Sequence, residues 1–476
     1  MAGENEVSSR TGWRSIGVEP VLFLYMSAFM TTSVVEEAFF VNKVCTVNLG
    51  YEQKVCDNLN DNKYLQERTE VQIRVSTFHQ YENIATHGIP IILAFFLGSW
   101  SDKVGRKLPM LIGLFGNLIY STMIILNDLM DDWPVDVVLF TACLPCALTG
   151  GNLTVFMSAF SYLSDTTTQR ERTLRTTLLE VAYLTPMPLG VMFGSYLYYN
   201  VLGRSYAAMF TVNAAFLVAA IVVAWAVMDW KTTEGPCDVS GPCFGLVDFG
   251  HVAASFKTLF KPRRNNRRLF LFLVLIAMAL YTFQRDEKHM VFLYTQHVFN
   301  WDLAQYSKFR TFQSSVFIFG LLLLGPLLTK LLKLKDMVMV MLGAVSHFVT
   351  RVIFATVMEP WQFYIGALTA CLGPTVAPVF RSFVSKLVPP NERGKVFAML
   401  TVADMTVPLV SGIVYTQVYN LTLSTHPQAI FYVTALTQAG VFFIAIFVNI
   451  LLEGRNLNQE VESSDDETTA DINVHA

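Results

Sequence analysis

The sequence has little charge for its length. Only 15% of its 476 residues are Asp, Glu, Lys or Arg, whereas a soluble globular domain has about 25%. Disorder would raise charge and lower hydrophobicity, so the 53% of apolar residues exclude a largely disordered chain. Seven cysteines in this length exclude a small disulfide scaffold. The sequence therefore predicts a chain whose main solvent is lipid, and it argues against a soluble enzyme.

Long apolar runs are what the sequence has instead. A membrane-spanning helix needs about 20 apolar residues, and twelve runs of suitable length are present. They lie near residues 20–41, 81–100, 108–128, 136–163, 174–200, 206–228, 269–297, 309–332, 337–358, 361–387, 395–418 and 428–452. The first run is too long for the apolar part of a signal peptide. We predict an all-α polytopic membrane protein with twelve transmembrane helices.

The loops between the runs set the orientation. Lys and Arg concentrate after the even-numbered runs, with seven in residues 229–268, and the positive-inside rule places such loops in the cytosol. The prediction has five segments: a cytosolic N-terminal tail (1–19), a six-helix bundle (20–228), a cytosolic central loop (229–268), a second six-helix bundle (269–452) and a disordered acidic cytosolic tail (453–476).

Features of the outside loops agree with this orientation. Asn420 begins an Asn-Leu-Thr glycosylation sequon between the last two runs. Cys45 and Cys56 lie in the first outside loop, where the oxidising compartment permits either a disulfide or two unpaired thiols. The cytosolic pair Cys237 and Cys243 is too loosely spaced for a zinc site, so we predict no metal.

A charged, glycine-containing segment joins the second and third runs. It reads Gly98-Ser-Trp-Ser-Asp102-Lys-Val-Gly105-Arg106-Lys107. Gly98 would let the helix approach a neighbour closely, and Asp102 would cap the helix end. Gly105 would permit a tight turn, while Arg106 and Lys107 would anchor in the anionic inner leaflet. We predict that these five residues form a cytosolic gating segment.

This segment resembles the G-x-x-x-D-[RK]-x-G-R-[RK] signature of the major facilitator superfamily. The segments 165–180 (DTTTQRERTLRTTLLE) and 381–395 (RSFVSKLVPPNERGK) are similar to solute carrier family 46, and the resemblance covers residues 18–452. It implies two six-helix halves around a central cavity and secondary transport by alternating access.

Ionisable residues at membrane depth are functional candidates, because burying a charge in lipid is costly. The resemblance implies that Glu180, in a Leu-Leu-Glu context, couples transport to protons. The alternative is a structural pair with Arg175. Glu36 and Glu37 lie in the outer part of the first run, where about 100° of helix separates neighbours, so at most one faces the cavity directly. His289 is a further pH-sensitive candidate.

Substrate-binding candidates are Arg381, Arg285, Asp286 and Asn152. Guanidinium groups offer a fixed fork of donors to a carboxylate or phosphate, and the resemblance implies that Arg381 handles substrate. Its alternative is an interhelix salt bridge. Residues 284–289 interrupt an apolar run, so either the seventh helix unwinds toward the cavity or its outer end leaves the membrane as a salt-bridged gate.

Other buried-looking polar residues carry weaker hypotheses. Asp404 and Arg351 could form a structural pair, and His347 and His87 are expected to be satisfied hydrogen-bonding histidines rather than members of a proton relay.

The sequence as a whole indicates a proton-coupled transporter of a small organic anion that is folate-like, a muropeptide or a cyclic dinucleotide. The alternative is a transport-inactive receptor or adaptor that keeps the fold. No nucleophile–base pair, metal cluster or phosphate loop indicates an enzyme, and no cofactor or nucleic-acid partner is expected. We expect a monomer or weak homo-oligomer. The tail lacks an acidic dileucine signal, which favours the plasma membrane over the lysosomal membrane.

Overall fold

A computed structural model describes residues 17–167, 169–230, 260–261, 266–388 and 390–452. The side chains of residues 99, 102, 103, 169–173, 390–395 and 398 are not described. Regular structure in the described part is helical throughout.

The helices of the first half extend from residue 19 to residue 227. They are α1 (Glu19–Thr32), α2 (Val35–Lys43), α3 (Gln53–Asp57), α4 (Leu65–Val104), α5 (Lys107–Leu129), α6 (Leu144–Leu148), α7 (Gly151–Thr166), α8 (Gln169–Leu184), α9 (Pro186–Tyr196) and α10 (Tyr206–Val227). Single π-helical turns at Val44–Asn48, Leu139–Cys143 and Leu197–Val201 continue α2, precede α6 and follow α9.

The helices of the second half follow the undescribed central loop. They are α11 (Arg267–Thr282), α12 (Glu287–Phe299), α13 (Leu303–Phe319), α14 (Gly325–Leu331), α15 (Asp336–Thr356), α16 (Pro360–Thr369), α17 (Val376–Leu387), α18 (Pro390–Thr422) and α19 (Ala429–Leu451). Asp302 and Glu359 begin α13 and α16 with capping boxes, which satisfy backbone donors at the helix starts.

All twelve predicted spans lie in helices, and eleven of them match helical stretches long and apolar enough to cross a membrane. Ten helical stretches are long and apolar enough to cross a membrane, and the bent pair Glu19–Thr32 and Val35–Asn48 makes an eleventh. The predicted span 81–100 lies within α4, a 40-residue helix that is not among these stretches. Its N-terminal half is polar on both faces. Gln66 and Glu70 are exposed, while Arg68 is 2% exposed and donates to the Asn300 side chain over 2.6 Å.

The chain divides into two compact units. In the described part, the first contains residues 17–36, 97–133, 137–167 and 169–230, and the second contains 37–96, 134–136, 260–261, 266–388 and 390–452. Residues 37–96 therefore group with the second half of the sequence. The predicted division had placed them in the first six-helix bundle (20–228).

Each unit has its own apolar core. In the first, α1, α5, α7 and α10 bury residues such as Leu22, Met110, Val155 and Leu217. In the second, α11, α15, α17, α18 and α19 form the core. Small residues permit close helix approach in membranes, as at Gly194 of α9, where an added Cβ would meet the Thr31 backbone of α1.

Candidate functional site

Three side chains from three helices meet in the second unit. Glu37 of α2 is 4% exposed. It lies 2.6 Å from His289 Nδ1 of α12 through Oε1, and 3.1 Å from His79 Nε2 of α4 through Oε2. The two imidazole rings are tilted by 31°, with centroids 4.5 Å apart. A buried carboxylate needs such partners, because an unpaired buried charge is costly.

A second carboxylate supports the arrangement. The carboxylate of Glu82, one helical turn after His79 on α4, lies 2.8 Å from His79 Nδ1 and shares a hydrogen bond with it. Both ring nitrogens of His79 thus face carboxylates. Phe40 and Phe78 pack against the same ring with centroids 5.7 and 5.9 Å away. We call Glu37, His79, Glu82 and His289 the Glu37 cluster.

The Glu37 cluster was half predicted. Glu37 and His289 were proton-coupling candidates, and the structure brings them into contact. His79 and Glu82 were missed, because His79 lies just before the predicted second span. One signal was available in the sequence: Val71, Val75 and Phe78 are apolar at helical spacing, which indicates a helix that begins before residue 81.

The polar segment 284–289 begins at a helix break. The turn Phe283–Arg285 is 3-10 helical and separates α11 from α12. Unwinding toward the cavity and a salt-bridged outer gate both stay predictions. Glu287, which follows it, is 1% exposed and accepts from Arg351 Nε of α15 over 3.0 Å and from Thr434 of α19 over 2.6 Å. Sequence reasoning did not single out Glu287.

The neighbouring predicted residues separate. Asp286 is 6% exposed and accepts a hydrogen bond from the buried Ser411 hydroxyl of α18. Arg285 is exposed, and among the described residues no hydrogen bond or ion pair engages its guanidinium. Asp286 is therefore anchored, whereas Arg285 is exposed.

Arg381 and Asp404 form an ion pair, which corrects one hypothesis. Arg381 Nη2 of α17 lies 3.4 Å from Asp404 of α18, and Thr282 donates to the same carboxylate over 2.9 Å. The suggested Asp404–Arg351 pair is wrong, because Arg351 pairs with Glu287. The side chain of Arg381 is still 51% exposed, so the ion pair leaves much of its guanidinium accessible.

The first-unit candidates have different neighbours. Arg175 pairs with Glu19 at 3.2 Å, so the alternative pairing with Glu180 is wrong. Glu180 is exposed on α8 and has no hydrogen bond or ion pair within the described chain.

Two further first-unit candidates accept hydrogen bonds from tyrosines. Glu36 accepts from Tyr120 of α5. Asn152 accepts from Tyr25 over 2.5 Å.

The two histidines expected to be hydrogen-bonded are so. His347 is 2% exposed and lies 3.4 Å from Arg351 and 3.5 Å from Gln284. His87 contacts the Asn83 carbonyl at 3.1 Å.

Comparison with known proteins identifies the family. The sequence profile of the Major Facilitator Superfamily matches residues 84–412, more than half of the chain. The chain belongs to the Major Facilitator Superfamily. It is thus a multi-pass membrane transporter of that type, and the predicted all-α fold is confirmed.

Relatives within the superfamily confirm the resemblance to solute carrier family 46. The probable peptidoglycan muropeptide transporter SLC46 of Drosophila melanogaster is 24% identical over 92% of this chain and 86% of its own length. The proton-coupled folate transporter of Rattus norvegicus is 24% identical over 91% of each chain. The crystal structure of the human organic anion transporter MFSD10 has a TM-score of 0.61 at 14% identity, covering 90% of this chain and 97% of that one.

The two basic residues that end the superfamily signature are buried rather than lipid-anchored. Arg106 is 8% exposed, pairs with Asp165 at 2.8 Å and donates to Ser101. Lys107, 3% exposed, donates to the Trp225 carbonyl over 2.6 Å and lies 4.5 Å from the Trp230 ring centroid. The expected anchoring of both in the inner leaflet is wrong, because each has protein partners.

The two signature glycines differ. Gly105 has φ +86°, as the predicted tight turn requires. At Gly98 an added Cβ would meet no described atom within 4 Å, so the close approach predicted there is not seen. The side chain of Asp102 lies outside the described residues.

Replacing Gly105 by Ala should destabilise the turn. The left-handed conformation costs a non-glycine residue about 1–3 kcal/mol, and the new Cβ would meet the Trp230 carbonyl oxygen. We expect a lower midpoint of thermal unfolding in detergent. Gly98→Ala is the control from the same signature and should leave the midpoint nearly unchanged. Equal losses in both variants would contradict this account.

The outside-loop candidates are placed as follows. Cys45 and Cys56 are joined by a disulfide. Asn420 lies in α18, its amide hydrogen-bonded to Ser76 and Thr77 of α4, and its glycosylation stays a prediction. Cys237 and Cys243 lie outside the described residues.

Proposed function

We propose that the protein is a proton-coupled secondary transporter of a small organic anion that works by alternating access. The observation that carries this proposal is Glu37, a buried carboxylate held between two imidazoles. Proton binding at such a group shifts the balance between conformations only if the two conformations bind the proton differently.

The Glu37 cluster offers such a difference. Its members come from α2, α4 and α12, three segments that are far apart in sequence. Histidine is the side chain whose ordinary pKa lies closest to physiological pH, and Glu37 contacts two of them. Any movement of α12 relative to α2 would separate His289 from Glu37 and change the preferred proton position. Glu180, exposed and unpaired in the described chain, is the second carboxylate proposed for coupling.

The anion would be held by arginine. Arg285 presents a guanidinium with no partner among the described residues, directly beside the helix break, and Arg381 is half exposed despite its contact with Asp404. Guanidinium groups bind carboxylates and phosphates through paired, charge-assisted hydrogen bonds.

The relatives support the same chemical class. Two of them are named as transporters of muropeptides and of folate, the latter proton-coupled, and the structural neighbour is named an organic anion transporter. We place the protein in the plasma membrane with both termini cytosolic, as the sequence predicts.

Flux measurement in proteoliposomes tests the proposal. The purified protein would be supplied with labelled folates, muropeptides and cyclic dinucleotides, with and without an inward proton gradient. We expect uptake of at least one anion, accelerated by external acid. Uptake that ignores the gradient would contradict coupling, and failure to transport any of them would favour the receptor alternative.

Replacing Arg285 by Ala should weaken substrate binding. A hydrogen bond to a charged group contributes about 1.5–3 kcal/mol, so we expect KM to rise roughly 10- to 150-fold. Arg285→Lys keeps the charge but loses the fork and should recover part of the loss. Arg204→Ala, in the turn between α9 and α10, is the control. An unchanged KM in Arg285→Ala would remove Arg285 from the site.

A further inference from the structure

The Glu37 cluster has the donor set of a transition-metal site. Two histidines and one glutamate each point one ligand atom toward the others, and these three atoms lie within 4.8 Å of one another. Two imidazoles with one carboxylate form a familiar three-ligand set for zinc, with a fourth position left to water. The three ligands come from three helices of one compact unit, so an ion there would join α2, α4 and α12.

Two of the ligand atoms face each other without a hydrogen bond. Glu37 Oε2 and His79 Nε2 are 3.1 Å apart, yet both are buried atoms that lack a hydrogen-bond partner of acceptable geometry. Zinc bonds to nitrogen and carboxylate oxygen are about 2.0–2.2 Å long. If Glu37 Oε2 and His79 Nε2 both bind one zinc ion at these lengths, the angle at the ion lies between a right angle and a tetrahedral one. The 3.1 Å separation therefore suits two ligands of the same ion.

Glu82 supplies the supporting contact that metal-binding histidines usually have. A carboxylate at 2.8 Å from His79 Nδ1 can accept the proton of that nitrogen, which would leave Nε2 as the ligand atom once an ion is bound. In zinc sites, the ligating histidine commonly donates its other ring N–H to a carboxylate in this way. An ordinary buried ion pair between His79 and Glu37 does not require Glu82 on the far nitrogen.

His289 completes the set. Its Nδ1 contacts Glu37 Oε1 at 2.6 Å, and its side chain is 24% exposed while Glu37 and His79 are 5% and 1% exposed. His289 is thus the most accessible of the three ligands.

We infer that Glu37, His79 and His289 bind one divalent transition-metal ion of the zinc class, and that Glu82 positions His79. The nitrogen ligands favour zinc, cobalt or copper over Mg²⁺ and Ca²⁺, which prefer oxygen ligands. The inference goes beyond transport of the organic anion. The ion would occupy the atoms that the proposed cycle uses for protons, so it would arrest the cycle.

Direct binding tests the inference. The full chain would be purified with a tag that contains no histidine, and Zn²⁺ binding measured by calorimetry, with Co²⁺ as a spectroscopic probe. We expect one Zn²⁺ per chain, a thermal midpoint that rises with free Zn²⁺, and a visible Co²⁺ spectrum typical of nitrogen and oxygen ligands. Mg²⁺ should produce neither effect.

Variants localise the ion. His289→Ala should abolish this binding. Glu82→Gln, which alters only the supporting contact, should weaken it roughly 10- to 100-fold. His426→Ala removes an exposed histidine outside the cluster and should bind as the unmodified protein does. Thermal midpoints without metal confirm that each variant is folded. Retention of full Zn²⁺ affinity in His289→Ala, or no binding by the unmodified chain, would overturn the inference.

The binding result is separable from the proposed function. Zn²⁺ binding with uptake that ignores pH would uphold the metal site and reject proton coupling. Proton-driven uptake without Zn²⁺ binding would uphold proton coupling and reject the metal site.

Discussion

Replacing Arg351 by Met should cost about 3–5 kcal/mol of stability, because it leaves Glu287 as an unpaired charge in a buried site. Glu287 and Arg351 are 1% and 7% exposed, and their side chains meet at 3.0 Å. Thr434 still donates to Glu287, but one neutral hydrogen bond does not replace a guanidinium. We expect a strongly lowered thermal midpoint and reduced yield of folded protein.

A double variant separates the charge from the packing. A buried ion pair replaced as a whole by apolar residues of similar size is often neutral for stability. Arg351→Met combined with Glu287→Leu should therefore recover most of the loss. Lys386→Met, which breaks a half-exposed pair with Asp336, is the control and should cost about 1 kcal/mol or less. A double variant as unstable as Arg351→Met would show that packing or the Thr434 contact, not charge, dominates.

The spans were predictable because lipid imposes a local rule. Each helix in lipid must be apolar over about 20 residues, and that property is visible in one segment at a time. The exception is α4, which contains the predicted span 81–100. The N-terminal half of α4 is polar, with Arg68 and Gln72 buried against α12. One face of this half packs on protein and the other carries exposed polar residues such as Gln66 and Glu70, so hydropathy underestimated the helix by 16 residues at its start.

The partners of the buried charges were less predictable. Arg106 and Lys107 follow a loop rule that places basic residues at the lipid headgroups, but their actual partners, Asp165 and the Trp225 carbonyl, are 59 and 118 residues away. Arg351 was matched with the wrong acid for the same reason. A sequence shows which charges need partners; only the packing of helices decides which partner each one receives.

Pairs of adjacent residues show where local geometry was sufficient. The helical angle between Glu36 and Glu37 predicted that the two carboxylates face different surroundings. The structure gives Glu36 a tyrosine in the first unit and Glu37 two histidines in the second. The distinction was predictable from periodicity, whereas His79 was hidden because its helix was assigned a later start.

Replacing Glu37 by Gln should uncouple transport from protons. Glutamine keeps the size of the side chain but cannot change charge, so it resembles a permanently protonated Glu37. In proteoliposomes the substrate should still exchange across the membrane, since the anion site at Arg285 is untouched, but an inward proton gradient should no longer drive accumulation. Uptake at acidic and neutral external pH should become equal.

Glu36→Gln is the matched comparison, one residue away on the same helix. It removes the charge of Glu36 but keeps an oxygen that can accept from Tyr120, and it leaves both histidine contacts of Glu37 in place, so accumulation should persist. Glu180→Gln in the same assay decides between the two proposed carboxylates. Full proton-driven accumulation in Glu37→Gln together with its loss in Glu180→Gln would transfer coupling to α8, and would leave the histidine contacts of Glu37 as a structural link between α2, α4 and α12.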